Sequence, residues 1–319
     1  MIFEGLIVNG YKTRMLTRHD PDGAVFYYSP EDFGLEYEEY DFIGQGGQKL
    51  SGYFYKKGEP RADKIVVFEH GMGCGHRAYM REISVIVEAG YLVFAYDHTG
   101  TLASGGENIG GLTQSLVDLD IAIKALKASG RTLGRDIAVI GHSWGGYSTM
   151  NIGAFHKDIT HLVAMSGYPS VRTMLETMMT GIMSGYVPAL FKSEADTFGG
   201  YAYADARYSL FTTNAKVMLI HSTDDPTAKY SMLEAVKDAI CERENTVFLT
   251  LEGKKHNPTY TDDAVSYKDE FFAELTAARK KKMLSTPEAR AEFRARFDFD
   301  RMTVQDMDVW NKIFAFLEG

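Results

Sequence analysis

The chain has 319 residues, 45% of them apolar, 13% aromatic and 24% charged, an ordinary globular composition that excludes disordered, collagen-like and coiled-coil readings. Its 34 Lys and Arg against 43 Asp and Glu leave a net charge of -9, and a field of that sign repels a phosphate backbone, which excludes nucleic acid as a partner. The only two cysteines, Cys74 and Cys241, are too few for a disulfide framework, a structural zinc site or an iron–sulfur site.

At the N-terminus the apolar stretch covers only residues 6–8, well short of the roughly 7 to 15 residues of a signal-peptide core. No apolar run approaches the roughly 18 residues of a membrane helix. With the cysteine content, this predicts a cytoplasmic protein without a membrane span. Residues 35–57 alternate around Gly44-Gln45-Gly46-Gly47, the pattern of two antiparallel strands joined by a turn. Short apolar runs at 65–68, 91–96, 137–140, 162–165, 217–220 and 247–251 read as buried strands. Helical patterns over 76–89, 112–128, 144–156, 227–241 and 303–317 separate most of them, the last with Asp300 or Thr303 as cap and Asp306 near its third position. Such alternation predicts an α/β architecture with a mostly parallel central sheet and helices on both faces.

Two stretches interrupt the alternation. Residues 169–212 carry an irregular load of Met and aromatic side chains, read as an inserted helical lid that leaves 1–168 and 213–319 as the core. Within it Met174 and Met178, with Met179 alongside, form a helical stripe that either lines a substrate pocket or packs onto the core. The second stretch, 261–300, includes the basic run 279–282 and reads as a solvated helix face.

Chemistry concentrates at Gly141-His142-Ser143-Trp144-Gly145-Gly146, between a strand and a helix. A serine projecting from so sharp a turn needs glycine at 141 and 145, where the backbone runs close to neighbouring chain. Serine alone is a weak nucleophile, so a histidine base and an orienting carboxylate are required, reachable from the ends of later strands. They follow in order: Asp224-Asp225-Pro226 after the strand at 217–220, and His256 after the strand at 247–251. The residue after the nucleophile, Trp144, offers its backbone N–H to a developing oxyanion.

With Ser143, Asp225 and His256 in that chain order, the sequence resembles a serine hydrolase of the α/β-hydrolase superfamily over about 35–256 and in its last helix. The resemblance implies Asp225 as the acid in preference to Asp224, since its spacing matches the family's turn and sets it just before Pro226, although Ser222 replaces the usual glycine. It also implies Met72, in His70-Gly71-Met72-Gly73, as the second backbone donor to the oxyanion, with His70 holding the loop by hydrogen bonds. Asp97-His98-Thr99-Gly100 departs from the family's D-x-R-G element at Thr99.

No cofactor is implied. The loop 71–75 fails the dinucleotide fingerprint at His76, and 104–111 lacks the G-K-[ST] of a phosphate loop. Nor do the histidines show metal-ligand spacing, and Cys74 reads as packed rather than reactive. The expected activity is hydrolysis of a carboxylic ester or thioester with an apolar acyl or aryl group. Met174, Met178 and Met179 are the candidate pocket residues. A peptidase or amidase on the same residues, or a silent ligand-binding relative, is the alternative.

Overall fold

The structure, a computed structural model, describes residues 2–73 and 75–319. Cys74, and with it the reading of that thiol, lies outside the described residues. The strands are β1 (Glu36–Glu39), β2 (Phe42–Ile43), β3 (Lys49–Leu50), β4 (Gly52–Lys56), β5 (Lys64–Glu69), β6 (Leu92–Tyr96), β7 (Asp136–His142), β8 (Ile159–Met165), β9 (Lys216–Ser222) and β10 (Thr246–Leu251). Eight form one sheet in the order β1-β4-β6-β5-β7-β8-β9-β10. From β6 to β10 every pairing is parallel, while β4 joins β6 and β1 joins β4 antiparallel. The Gly44–Gly47 turn therefore does not join β1 directly to β4. It closes the separate β2/β3 pair, with Gly47 at φ 80°, and the longer hairpin β1/β4 forms around that unit.

The helices are α1 (Ile2–Gly10), α2 (Met80–Glu88), α3 (Gln114–Ala128), α4 (Trp144–Ile152), α5 (Val171–Met178), α6 (Val187–Phe198), α7 (Ala206–Thr212), α8 (Tyr230–Ala239), α9 (Asp262–Lys280), α10 (Pro287–Arg294), α11 (Phe299–Met302) and α12 (Met307–Glu318). Because side chains alternate faces along a strand, the apolar runs supply two cores at once. Ile65, Val67, Ile137 and Val139 pack with Leu116 and Leu119 of α3 and Tyr147 of α4. Val66, Phe68, Ala138 and Ile140 pack with Ile83 and Ile86 of α2 and Trp310 and Ile313 of α12. Helices thus cover both faces, the arrangement expected for continuous apolar strands.

Helix α12 starts later than the sequence pattern indicates. Its cap is Asp306, which accepts from Asp308 N and Val309 N, so Asp306 is not a third-position residue and neither Asp300 nor Thr303 caps the helix. The 261–300 stretch is also more than a solvated face. Its basic run is exposed, but the opposite side of α9 buries Phe271 and Leu275 against Ala24, Phe293 and Met302, a small core shared with the N-terminal segment. A charged, exposed face masked this apolar one in the sequence.

Residues 169–212 are helical and tied to the rest of the protein by buried polar contacts. Glu194 of α6, only 2% exposed, accepts from the backbone N–H of Leu112 and Thr113, both at 3.0 Å, satisfying orphan donors ahead of α3. Tyr201 donates to Asp120 at 2.7 Å. Such buried, satisfied anchors fix this stretch against α3.

Candidate active site

Strand β7 ends in a turn that throws Ser143 into φ 57°, ψ -114°, a conformation that costs a non-glycine residue about 1–3 kcal/mol. Its N–H is held by Met165 O at 2.8 Å. The flanking glycines are sterically required. A Cβ on Gly145 would collide with the backbone of Glu69 and His70, and one on Gly141 with Thr149 and the Gly145 carbonyl.

Ser143 Oγ lies 2.8 Å from His256 Nε2, and His256 Nδ1 lies 2.8 Å from Asp225 Oδ2. Three residues spread over 113 positions of sequence are thus brought into one hydrogen-bonded line. Asp225 is fully withdrawn from water, and its Oδ1 accepts from Thr227 N at 2.8 Å and Ala228 N at 3.0 Å. Burial opposes its charge, but hydrogen bonds from His221 and His256 outweigh that and hold its carboxyl well below the usual range. Asp224 is exposed and turned away, accepting from Ser222 Oγ at 2.5 Å and Lys255 N at 3.1 Å. It braces the loop that carries His256.

Trp144 is the first residue of α4, so its N–H is among the donors a helix start leaves free. Its indole is buried and donates to Leu112 O at 2.6 Å. Met72 follows Gly71, where an added Cβ would lie 3.2 Å from Ser143 Cβ, so the loop after β5 runs directly against the serine turn. His70 is buried and keeps that loop in shape: Nδ1–H donates to Gly71 O at 2.7 Å and Nε2 accepts from His98 N at 3.1 Å.

His142 was not singled out from the sequence, yet it links three parts of the site. Since a carbonyl can only accept, Nε2–H donates to His256 O at 2.6 Å, leaving Nδ1 to accept from Tyr79 OH at 2.9 Å. Burial, then the neighbouring His256, lowers its pKa to about 3, so it stays neutral and keeps this tautomer.

A cavity of about 480 Å³ adjoins the site, bordered by His142 and Asn257, the neighbours of Ser143 and His256, and by Met72. Its other walls come from the N-terminal segment around 18–27 and from α9 and α11. None of Met174, Met178 and Met179 lines it. All three are half-buried and pack against the main core. Glu82 and Lys268, which do line the cavity, belong to segments with no motif to distinguish them. Among the described residues no group of His, Cys, Asp or Glu could hold a metal ion, and no helix is long and apolar enough to cross a membrane.

Residues 60–199 match the family model described as serine aminopeptidase, S33. No curated protein sequence matches the chain. Among solved structures, an esterase from Pyrococcus furiosus superposes with a TM-score of 0.60 at 21% identity, covering 82% of this chain and 98% of that one. A puromycin-hydrolyzing peptidase from Mycobacterium tuberculosis gives 0.56 at 19% identity, over 70% of this chain and 36% of that one. The α/β hydrolase GrgF from a Penicillium species gives 0.52 at 16% identity, over 82% and 99%. Strand order, the β7–α4 turn and these likenesses agree: the chain has the α/β-hydrolase fold.

Proposed function

We propose that this protein is a serine hydrolase that cleaves a carboxylic ester or thioester through an acyl-enzyme. The observation that carries the reading is the line Ser143 Oγ, His256, Asp225, with both hydrogen bonds at 2.8 Å, beside a cavity large enough for an acyl group. His256 Nε2 takes the proton of Ser143 as Oγ bonds to the carbonyl carbon. The oxyanion that forms meets the N–H groups of Trp144 and Met72. Its collapse breaks the ester bond, and His256 hands the proton to the leaving alcohol or thiol. Water then repeats the cycle at the acyl-enzyme and returns Ser143. Asp225 accepts Nδ1–H throughout and fixes the tautomer. No cofactor enters this scheme.

Cover for the site comes, on this reading, from the N-terminal segment and 257–303, which wall the cavity, with 169–212 an insertion anchored onto the core. A small-molecule substrate in a reducing, cytoplasmic setting suits the two cysteines and the acidic charge. Fluorophosphonate labelling tests the proposal: wild type should label and Ser143→Ala should not, whereas an unlabelled wild type would overturn it. The matched serine aminopeptidase model favours one second reading, a peptidase using the same residues. Esters assayed beside aminoacyl amides separate the two, ester turnover being expected to dominate.

A further inference from the structure

The cavity beside Ser143 is apolar over most of its wall, where Phe26, Phe271, Phe272 and Phe299 gather, but ionisable side chains also face it, Glu82 and Lys268 among them. Glu82 is 4% exposed, and its Oε2 has no hydrogen-bond partner. A buried acceptor left unmade costs about 1–3 kcal/mol, so each such atom in a folded protein calls for a cause. Tyr260 bonds to the Glu82 carboxyl, and among the described residues no cation lies within 4.0 Å of it. Lys268 holds its Nζ over the Tyr260 ring at 4.3 Å and spends one of its N–H groups on Asn257 Oδ1 at 2.7 Å. An ammonium has three donors.

Both groups stand close to the reacting residues. Glu82 is one helical turn beyond Tyr79, whose hydroxyl bonds to His142. Lys268 bonds to Asn257, the residue after His256. Burial pushes the Glu82 carboxyl up and the Lys268 ammonium down to about 8, while each charge draws the other back. An acceptor and a donor with spare capacity therefore share one largely apolar cavity without closing on each other as an ion pair. A substrate cation would meet Lys268, and a substrate anion would meet Glu82. The chemistry that satisfies both is a neutral group that donates and accepts at one atom, which is a hydroxyl.

Resting on the hydrolase reading above, we propose that this cavity binds the acyl part of a hydroxylated aromatic ester, its ring against the phenylalanines, its hydroxyl donating to Glu82 and accepting from Lys268. The site is then a specificity filter, because a pocket built to bond a hydroxyl leaves its own buried groups unpaired when the analogue lacks it.

The test compares ethyl esters of 2-, 3- and 4-hydroxyphenylacetic acid with ethyl phenylacetate and with the matching methoxy compounds, which cannot donate to Glu82. For at least one isomer the hydroxy ester should exceed both counterparts in kcat/KM by roughly 100-fold. Glu82→Met and Lys268→Met should each reduce that preference to below about fivefold. Equal turnover of hydroxy and deoxy esters for all three isomers, a methoxy ester as good as its hydroxy partner, or a preference that survives in a folded Glu82→Met would each overturn the proposal. Should the variants not fold, the wild-type comparison decides alone. Turnover of 4-nitrophenyl acetate and fluorophosphonate labelling of wild type report the hydrolase itself: their absence defeats the underlying reading, whereas their presence without a hydroxyl preference defeats this inference only.

Discussion

The imidazole of His142 and the backbone of His256 are joined directly, Nε2–H to carbonyl oxygen at 2.6 Å, so the turn that carries Ser143 and the loop that carries His256 are held by one side chain. Tyr79 anchors the other ring nitrogen at 2.9 Å. His142 touches no reacting atom and acts as a positioning residue. Its loss should let the His256 loop drift, and an ångström of misplacement costs about 100-fold. His142→Phe should lower kcat by that order with KM little changed. His142→Gln, whose amide can still donate to the carbonyl, should recover most of it. Steady-state kinetics on both variants check this, and equal rates in the two would remove the hydrogen bond from the account.

Ser143 combines a half-buried hydroxyl with a φ of 57°. On the proposed mechanism, removing the Ser143 hydroxyl should cut turnover by roughly a million-fold, since triad residues act as a unit. Two inactive variants should nonetheless differ in stability. Ser143→Ala keeps a Cβ in a conformation that costs about 1–3 kcal/mol, whereas Ser143→Gly relieves it and gives back part through the freer unfolded chain. Ser143→Gly is therefore expected to be about 1 kcal/mol the more stable of the two, measured by urea unfolding.

The neighbouring aspartates make opposite contacts, Asp225 to His256 Nδ1 at 2.8 Å and Asp224 to Ser222 and the Lys255 backbone. Asp225→Asn should favour the wrong tautomer of His256 and lose on the order of 10⁴-fold in kcat. Asp224→Asn keeps an acceptor toward the loop, so a loss below about tenfold is expected. The larger loss at Asp224 would exchange their roles.

These residues were legible in the sequence to different degrees, and the reasons are physical. Ser143 announces itself because the sterics of its turn demand glycines within two positions on either side, a local mark. Asp225 and His256 were reachable because each follows a strand that a buried parallel sheet makes easy to recognise. Glu82 and Lys268 leave no such mark: one sits in an amphipathic helix and the other in a charged one, and only the packing of α9 across the N-terminal segment brings both to one cavity. Glu194, too, looks like an ordinary helix surface charge until Leu112 and Thr113 are seen donating to it.

Beneath the serine turn, His98 is wholly buried, with Nε2 3.1 Å from Glu69 and Nδ1 3.6 Å from Asp118. Burial opposes its charge, yet the two carboxylates prevail and raise its pKa to about 10. An unfolded histidine titrates near about 6.5. The folded protein thus binds this proton more tightly, and the resulting stability is complete below about pH 6.5 and lost as pH rises through about 10. The melting temperature should therefore fall between pH 7 and pH 10, and His98→Asn should flatten that slope while lowering stability at pH 7. A pH-independent wild type would contradict the charged state of His98.

Whether the acyl group is read by α9 or by the 169–212 helices is decided by two apolar residues of similar size. Phe272 lines the cavity and is 45% exposed, so trimming it opens the pocket without removing a buried contact from the core. Met178 is half-buried against the main core and borders no part of that cavity. Phe272→Ala should therefore change the ratio of kcat/KM on aromatic against short-chain esters by roughly tenfold, the scale of a few methylenes in an apolar pocket, with a melting temperature close to wild type. Met178→Ala should do the reverse, leaving the ratio alone and costing about 1–2 kcal/mol, less than the 2–5 kcal/mol of a fully buried methionine because its site is only half closed. Selectivity that moved with Met178 and not with Phe272 would return the specificity role to the insertion.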